Sequence, residues 1–147
     1  MARKPLEGLR VSVARNMVGA LEEAATKLFN SVQRNATLTD HSLDDLAKLG
    51  HPYNIRSSVS IHSPSYLVHQ QSGRLSGALK LVRVNQYSFN IGIEESAVPY
   101  LLAVVYGTRY MVGRDFIRGS LLDLDDDLRN VFSKALSLGV QQGPINV

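Results

Sequence analysis

An α+β fold is what this sequence predicts: a long N-terminal helix, a small antiparallel β-sheet built around a hairpin, and a buried helix and a C-terminal helix packed on it. Three patterns carry the expectation. The first third holds an apolar stripe of helical period, the middle holds two short β-rich runs about a turn dipeptide, and a second helical stripe closes the chain. The 147 residues suit a single domain, and 44% apolar with 20% charged residues is the composition of a chain that folds around a core.

From Leu6 the apolar residues Leu9, Val13, Met17, Leu21, Ala24, Leu28 and Val32 recur at steps of three or four, which lays one stripe along a helix beginning near Pro5. At 1.5 Å per residue such a helix is roughly 40 Å long. Gly8 and Gly19 weaken it locally, and Asn30 to Thr39 reads as a frayed exit. Ser42-Leu43-Asp44-Asp45 predicts a short second helix, with Ser42 capping the backbone, Asp45 reaching back and Gly50 ending it. Periodicity then disappears, so residues 50–71 read as an extended loop or arm. Ser72-Gly73-Arg74-Leu75 reads as a helical turn that delivers the chain to a strand.

Leu81, Val82, Val84, Tyr87, Phe89, Ile91 and Ile93 fall in two runs about Asn85-Gln86, the pattern of a β-hairpin. Val98 to Val105 is apolar almost all round, with Pro99 near its start and Gly107 after its end. It predicts a buried helix, with a strand as the alternative. Arg114 to Leu122 is a short element of open type. Leu124, Leu128, Val131, Phe132, Ala135, Leu136 and Leu138 form the last helical stripe, ending at Gly139, and residues 140–147 read as a mobile tail.

Composition removes several function classes. No apolar run approaches the roughly 20 residues of a membrane span, and the N-terminal stretch lacks the uninterrupted apolar block of a signal peptide. The absence of cysteine removes disulfides, thiolate nucleophiles and cysteine zinc sites. His41, His51, His62 and His69 are spread through loop-like sequence, so no metal is expected. Neither a strained nucleophile turn nor a glycine-rich phosphate cradle is present: Ser72 to Gly77 has two glycines but no P-loop ending and no dinucleotide fingerprint. No cofactor and no catalytic residue are expected.

The net charge of +3 is too small by itself to indicate a nucleic-acid binder. It is distributed in blocks: six basic and three acidic side chains in residues 1–35, two and three in 36–70, six and three in 71–121, two and four in 122–147. Asp123, Asp125, Asp126 and Asp127 form the concentrated acidic patch. They fit a basic surface on a neighbouring subunit or compensation of a helix N-terminal dipole equally well.

The segment Tyr106 to Phe116 remains. Gly107 allows a sharp turn, Thr108 can cap the following backbone, and Phe116 can anchor the returning chain. Arg109 and Arg114 beside aromatic residues also suit a surface that packs against another subunit.

At these residues the sequence resembles a family of tailed-bacteriophage neck and tail-completion proteins, which join the head to a long tail and include tail-terminator-like members. The resemblance rests on an ordered set: Gly73-Arg74-Leu75, the hairpin Leu81 to Ile93, Tyr100, Gly107-Thr108, Arg114-Asp115-Phe116 and the stripe from Leu124. It covers residues 69–136, and the long N-terminal helix agrees in kind. Many members have proline between the arginine and the phenylalanine, where this chain has Asp115.

The resemblance implies a non-enzymatic virion protein that forms a ring, a hexamer in expectation, around the DNA channel at the head–tail junction. Assembly would occur in the host bacterial cytoplasm. The implied partners are further copies of the chain, other phage neck, portal-adaptor and tail proteins, and DNA passing without sequence-specific binding. Gly73, Arg74, Leu75, Tyr100, Gly107, Thr108, Arg109, Arg114 and Phe116 then become subunit-interface or structural-motif residues, with Arg74, Arg109 and Arg114 nearer to subunit contacts or the channel than the average arginine. The alternative expectation is a small basic nucleic-acid-binding protein that uses the N-terminal helix.

Overall fold

The first third of the chain is one continuous helix, α1 (Arg3–Asn35), of 33 residues, in a computed structural model that describes residues 3–37, 68, 72–94, 96–108 and 113–141. After Pro5 the helix has no further proline to interrupt its hydrogen-bond ladder. Its buried positions are mostly small: Ser12, Ala20, Ala24, Ala25, Ser31, Val32 and Asn35, with Ala36 buried just beyond its end. The larger stripe residues Val13, Met17, Leu21 and Leu28 are half-buried around them. The frayed exit expected from Asn30 onward does not occur. Ser31, Val32 and Asn35 are drawn into packing, and Ala36 N–H closes the last turn on Val32 O at 3.0 Å.

The remaining elements follow in order: α2 (Arg74–Gly77), β1 (Leu79–Asn85), β2 (Ser88–Ile93), α3 (Leu101–Tyr106), α4 (Phe116–Asp123) and α5 (Asp125–Gln141). Helices around a two-stranded antiparallel sheet make the α+β class that the sequence predicts. The short helix at 42–50, the arm at 50–71 and the tail beyond Gln141 lie outside the described residues.

By contacts the chain divides into two compact units, one of residues 1–28, 81–90 and 124–147, the other of residues 29–80 and 91–123. In the first, α1 packs on α5. Ala135 and Gly139 are buried, Leu128, Val131 and Phe132 half-buried, and Ser12 Oγ donates to Gly139 O at 3.1 Å. Gly139 was expected to stop the helix; it lies inside it, and α5 runs on to Gln141. The reason is contact. A Cβ at Gly139 would stand 2.8 Å from Val13 Cα, so glycine here serves close approach of two helices and not termination. Val140 and Gln141, expected in the tail, are accordingly helical. Asp125, Asp126 and Asp127 occupy the first turn of α5, where they offset its N-terminal dipole.

In the second unit, Phe116, Val98 and Val32 are fully buried. Asn35 Nδ2 donates to Ser120 Oγ at 2.7 Å, Ser120 Oγ donates to Phe116 O at 2.7 Å, and Val68 N–H donates to Asn35 O at 2.9 Å. A buried serine and a buried asparagine thus satisfy each other while fixing the end of α1 to α4. The hairpin turn is held by Asn85 Oδ1, which accepts Tyr87 N–H at 2.8 Å, an Asx turn between the strands.

The apolar run before Gly107 does form a helix, α3, but not a buried one. Val98 ahead of it is interior, while none of the six residues of α3 is buried, and Leu102 and Tyr106 are 63% and 73% exposed. A helix of under two turns that is apolar on every side can pack only one side, so the other is left to solvent.

Candidate functional site

The motif residues described by the structure, Gly73, Arg74, Leu75, Tyr100, Gly107, Thr108, Arg114 and Phe116, all belong to the second unit, and Arg109 lies outside the described residues. They divide by what each does. Gly73 and Gly107 shape the backbone: their φ values of 74° and 78° lie where a side chain is strained. Gly73 starts α2, where its carbonyl accepts Gly77 N–H at 2.9 Å and Ser76 Oγ at 3.1 Å. Gly107 ends α3, donating its N–H to Ala103 O at 2.9 Å.

Leu75 and Phe116 are core residues, with Phe116 at 0% exposure. Arg74, Tyr100 and Thr108 stand at the surface, Tyr100 at the N-terminal boundary of α3. Arg114 is different. It is only 8% exposed, and burial pushes its guanidinium below the ordinary arginine value because the charged form loses hydration. Its backbone is fixed by Arg114 N–H donating to Val104 O at 2.7 Å.

Two residues that were not among the expected site residues complete this corner. Gly113 abuts the last turn of α3, where an added Cβ would lie 2.6 Å from the Tyr106 carbonyl carbon. Its signal in the sequence is only a second glycine six residues after Gly107, which does not distinguish close contact from a flexible turn. Asp115 is the N-cap of α4. Its Oδ1 accepts Arg118 N–H at 3.0 Å and its carbonyl accepts Gly119 N–H at 2.9 Å. An aspartate capping from the position before Phe116 makes a defined helix start where many members of the resembled family have proline.

The outer faces of this unit carry apolar groups at helical spacing. On α3, Leu102 and Tyr106 are four residues apart; on α4, Arg118, Leu121 and Leu122 share one exposed face. In the first unit, Val82 and Val84 share a face of β1 and are 51% and 55% exposed. A groove of about 540 Å³ runs between α1 and α5, lined by Arg15, Glu23, Lys27, Asp127, Asn130 and Lys134 among others. Its charges are mixed, and Glu23 already holds Lys27 at 3.2 Å, so no single ligand charge is selected.

The described cations of α1, Arg10, Arg15, Lys27 and Arg34, fall at about 0°, 140°, 260° and 240° round the axis at 100° per residue. They do not form a continuous basic strip of the kind that tracks a phosphate backbone. Among the described residues no three of His, Asp and Glu gather into a metal-binding cluster, and all four histidines lie outside them. No described helix is long and apolar enough to cross a membrane. No protein-family model, no curated protein and no solved structure matches the chain.

Proposed function

We propose that the chain is a structural subunit of the head–tail junction of a long-tailed bacteriophage, a neck or tail-terminator protein that closes into a homo-oligomeric ring around the DNA channel. The observation that carries this reading is the fate of the ordered motif. Its described members lie in one compact unit and share the work of building it, two glycines setting positive-φ turns and Leu75 and Phe116 filling its core. Residues that share one local framework are what a family resemblance in sequence order demands.

The surfaces of the chain support association. Helix α3 has no buried residue, and α4 and β1 each present paired large apolar groups to solvent. Such surface is what subunit contacts cover, and a closed ring satisfies every head-to-tail contact at once. A hexamer is the expected ring, the protein acts without cofactor or catalysis, and DNA passes through without sequence readout.

Native mass spectrometry tests the reading on the chain alone and mixed with whatever portal and tail proteins its gene neighbourhood encodes. The expected result is a cyclic oligomer in at least one of these conditions. A monomer in all of them, or a gene neighbourhood without portal and tail genes, removes the reading.

A further inference from the structure

We infer that Arg114 is completed by a carboxylate from a neighbouring copy of the chain, contributed by Asp126 or Asp127. This rests on the ring reading above. Arg114 is 8% exposed, and its main-chain groups are satisfied, the N–H by Val104 O and the carbonyl by Phe116 N–H. Its guanidinium has five donors and finds no acceptor and no ion-pair partner among the described residues. A charge taken out of water and left unpaired is among the costliest features a fold can carry, so its partner is a missing part of the site.

The acid next to Arg114 in sequence is already engaged: Asp115 Oδ1 caps α4 through Arg118 N–H, and Asp115 O accepts Gly119 N–H. The guanidinium fork suits a carboxylate, whose two oxygens match it. Asp126 and Asp127 are exposed on the first turn of α5 and, unlike Asp125, which binds Arg129 at 2.8 Å, form no ion pair among the described residues, although the charge of Asp126 also acts on Arg129. Among the described residues the chain thus carries a buried cation without an ion pair and exposed carboxylates without one. Head-to-tail copies resolve both, each subunit supplying the aspartates to one neighbour and receiving them from the other. Gly113, wedged under α3, keeps Arg114 in place for that contact.

The test compares Arg114→Met and the double variant Asp126→Asn/Asp127→Asn with the wild-type chain, using thermal unfolding of the dilute monomer and native mass spectrometry under assembling conditions. Arg114→Met is expected to keep its monomer midpoint within about 2 °C of wild type or above it, because methionine removes the buried charge. Both variants are expected to lower the ring population by at least about tenfold. A monomer midpoint more than about 5 °C lower in Arg114→Met would mean an acceptor within the chain and would overturn the inference, as would undiminished assembly of either variant. A wild type that never assembles removes the ring reading and this inference with it. A wild type that assembles no better than the two variants removes this inference alone.

Discussion

Gly139 and Gly19 sit in two helices of one compact unit, yet an added methyl group has opposite consequences at them. At Gly139 the Cβ would lie 2.8 Å from Val13 Cα and 3.1 Å from its Cγ2, and backbone cannot retreat as a side chain can. Gly139→Ala is therefore expected to destabilise the chain by about 1–3 kcal/mol, the range of an overpacked contact, and to weaken the Ser12 Oγ hydrogen bond to Gly139 O. At Gly19 nothing lies within 4 Å of the new Cβ, so Gly19→Ala gains helix propensity and is expected to stabilise by about 0.5–1 kcal/mol. Urea unfolding of both variants checks the pair, and equal signs would contradict the packing described. Asp115→Ala removes the side-chain acceptor of Arg118 N–H, with an expected loss of about 1 kcal/mol, whereas Asp115→Asn keeps an acceptor oxygen and most of that stability.

Among the elements, the hairpin is mostly exposed. Leu79 is buried and Leu81 half-buried at the start of β1, while Lys80, Val82 and Val84 on the other face of the strand are exposed. Lys80 Nζ donates to Glu94 Oε2 at 3.1 Å, tying the start of β1 to the residue after β2, and it is the main cause that holds Glu94 below the ordinary carboxylate range. A depressed acid contributes stability above its unfolded value and loses it as pH falls through its folded value. Lys80→Ala is accordingly expected to return Glu94 toward the ordinary range, read by carboxyl NMR titration, with little change in stability because the pair is exposed.

Elements of this kind were legible in the sequence because their cause is periodicity: the stripe of α1, the alternation about Asn85-Gln86 and the stripe of α5 all correspond to elements in the structure. Burial was less legible. An all-apolar run such as Val98 to Val105 has no polar side to show which way it faces, and a glycine near a helix end reads as a stop whether or not a second helix presses on it. The site was legible in its glycines and in Phe116, whose types follow from backbone and core. The capping by Asp115 and the buried Asn35–Ser120 pair depend on partners 3 and 85 residues away, which local spacing does not reveal.

For the whole molecule, the proposed ring would make assembly and stability one quantity. A subunit that covers Leu102 and Tyr106, Leu121 and Leu122, or Val82 and Val84 only in a ring gains that burial from its neighbours, so its free energy of unfolding contains a concentration term. For a hexamer this amounts to on the order of 1 kcal/mol per subunit for each tenfold rise in concentration, which shifts the midpoint of a chain this size by about 2–4 °C. Differential scanning fluorimetry over a hundredfold concentration range is expected to show a steady rise of that slope under assembling conditions. A self-sufficient monomer gives a flat line. Salt separates the contributions, since apolar contacts persist at high ionic strength while pairs between exposed charges weaken within a Debye length of about 10 Å at 0.1 M. A slope that survives 1 M salt is expected if the apolar faces of α3, α4 and β1 dominate the contact. A slope abolished by salt would shift the weight to the acidic first turn of α5 and the arginines.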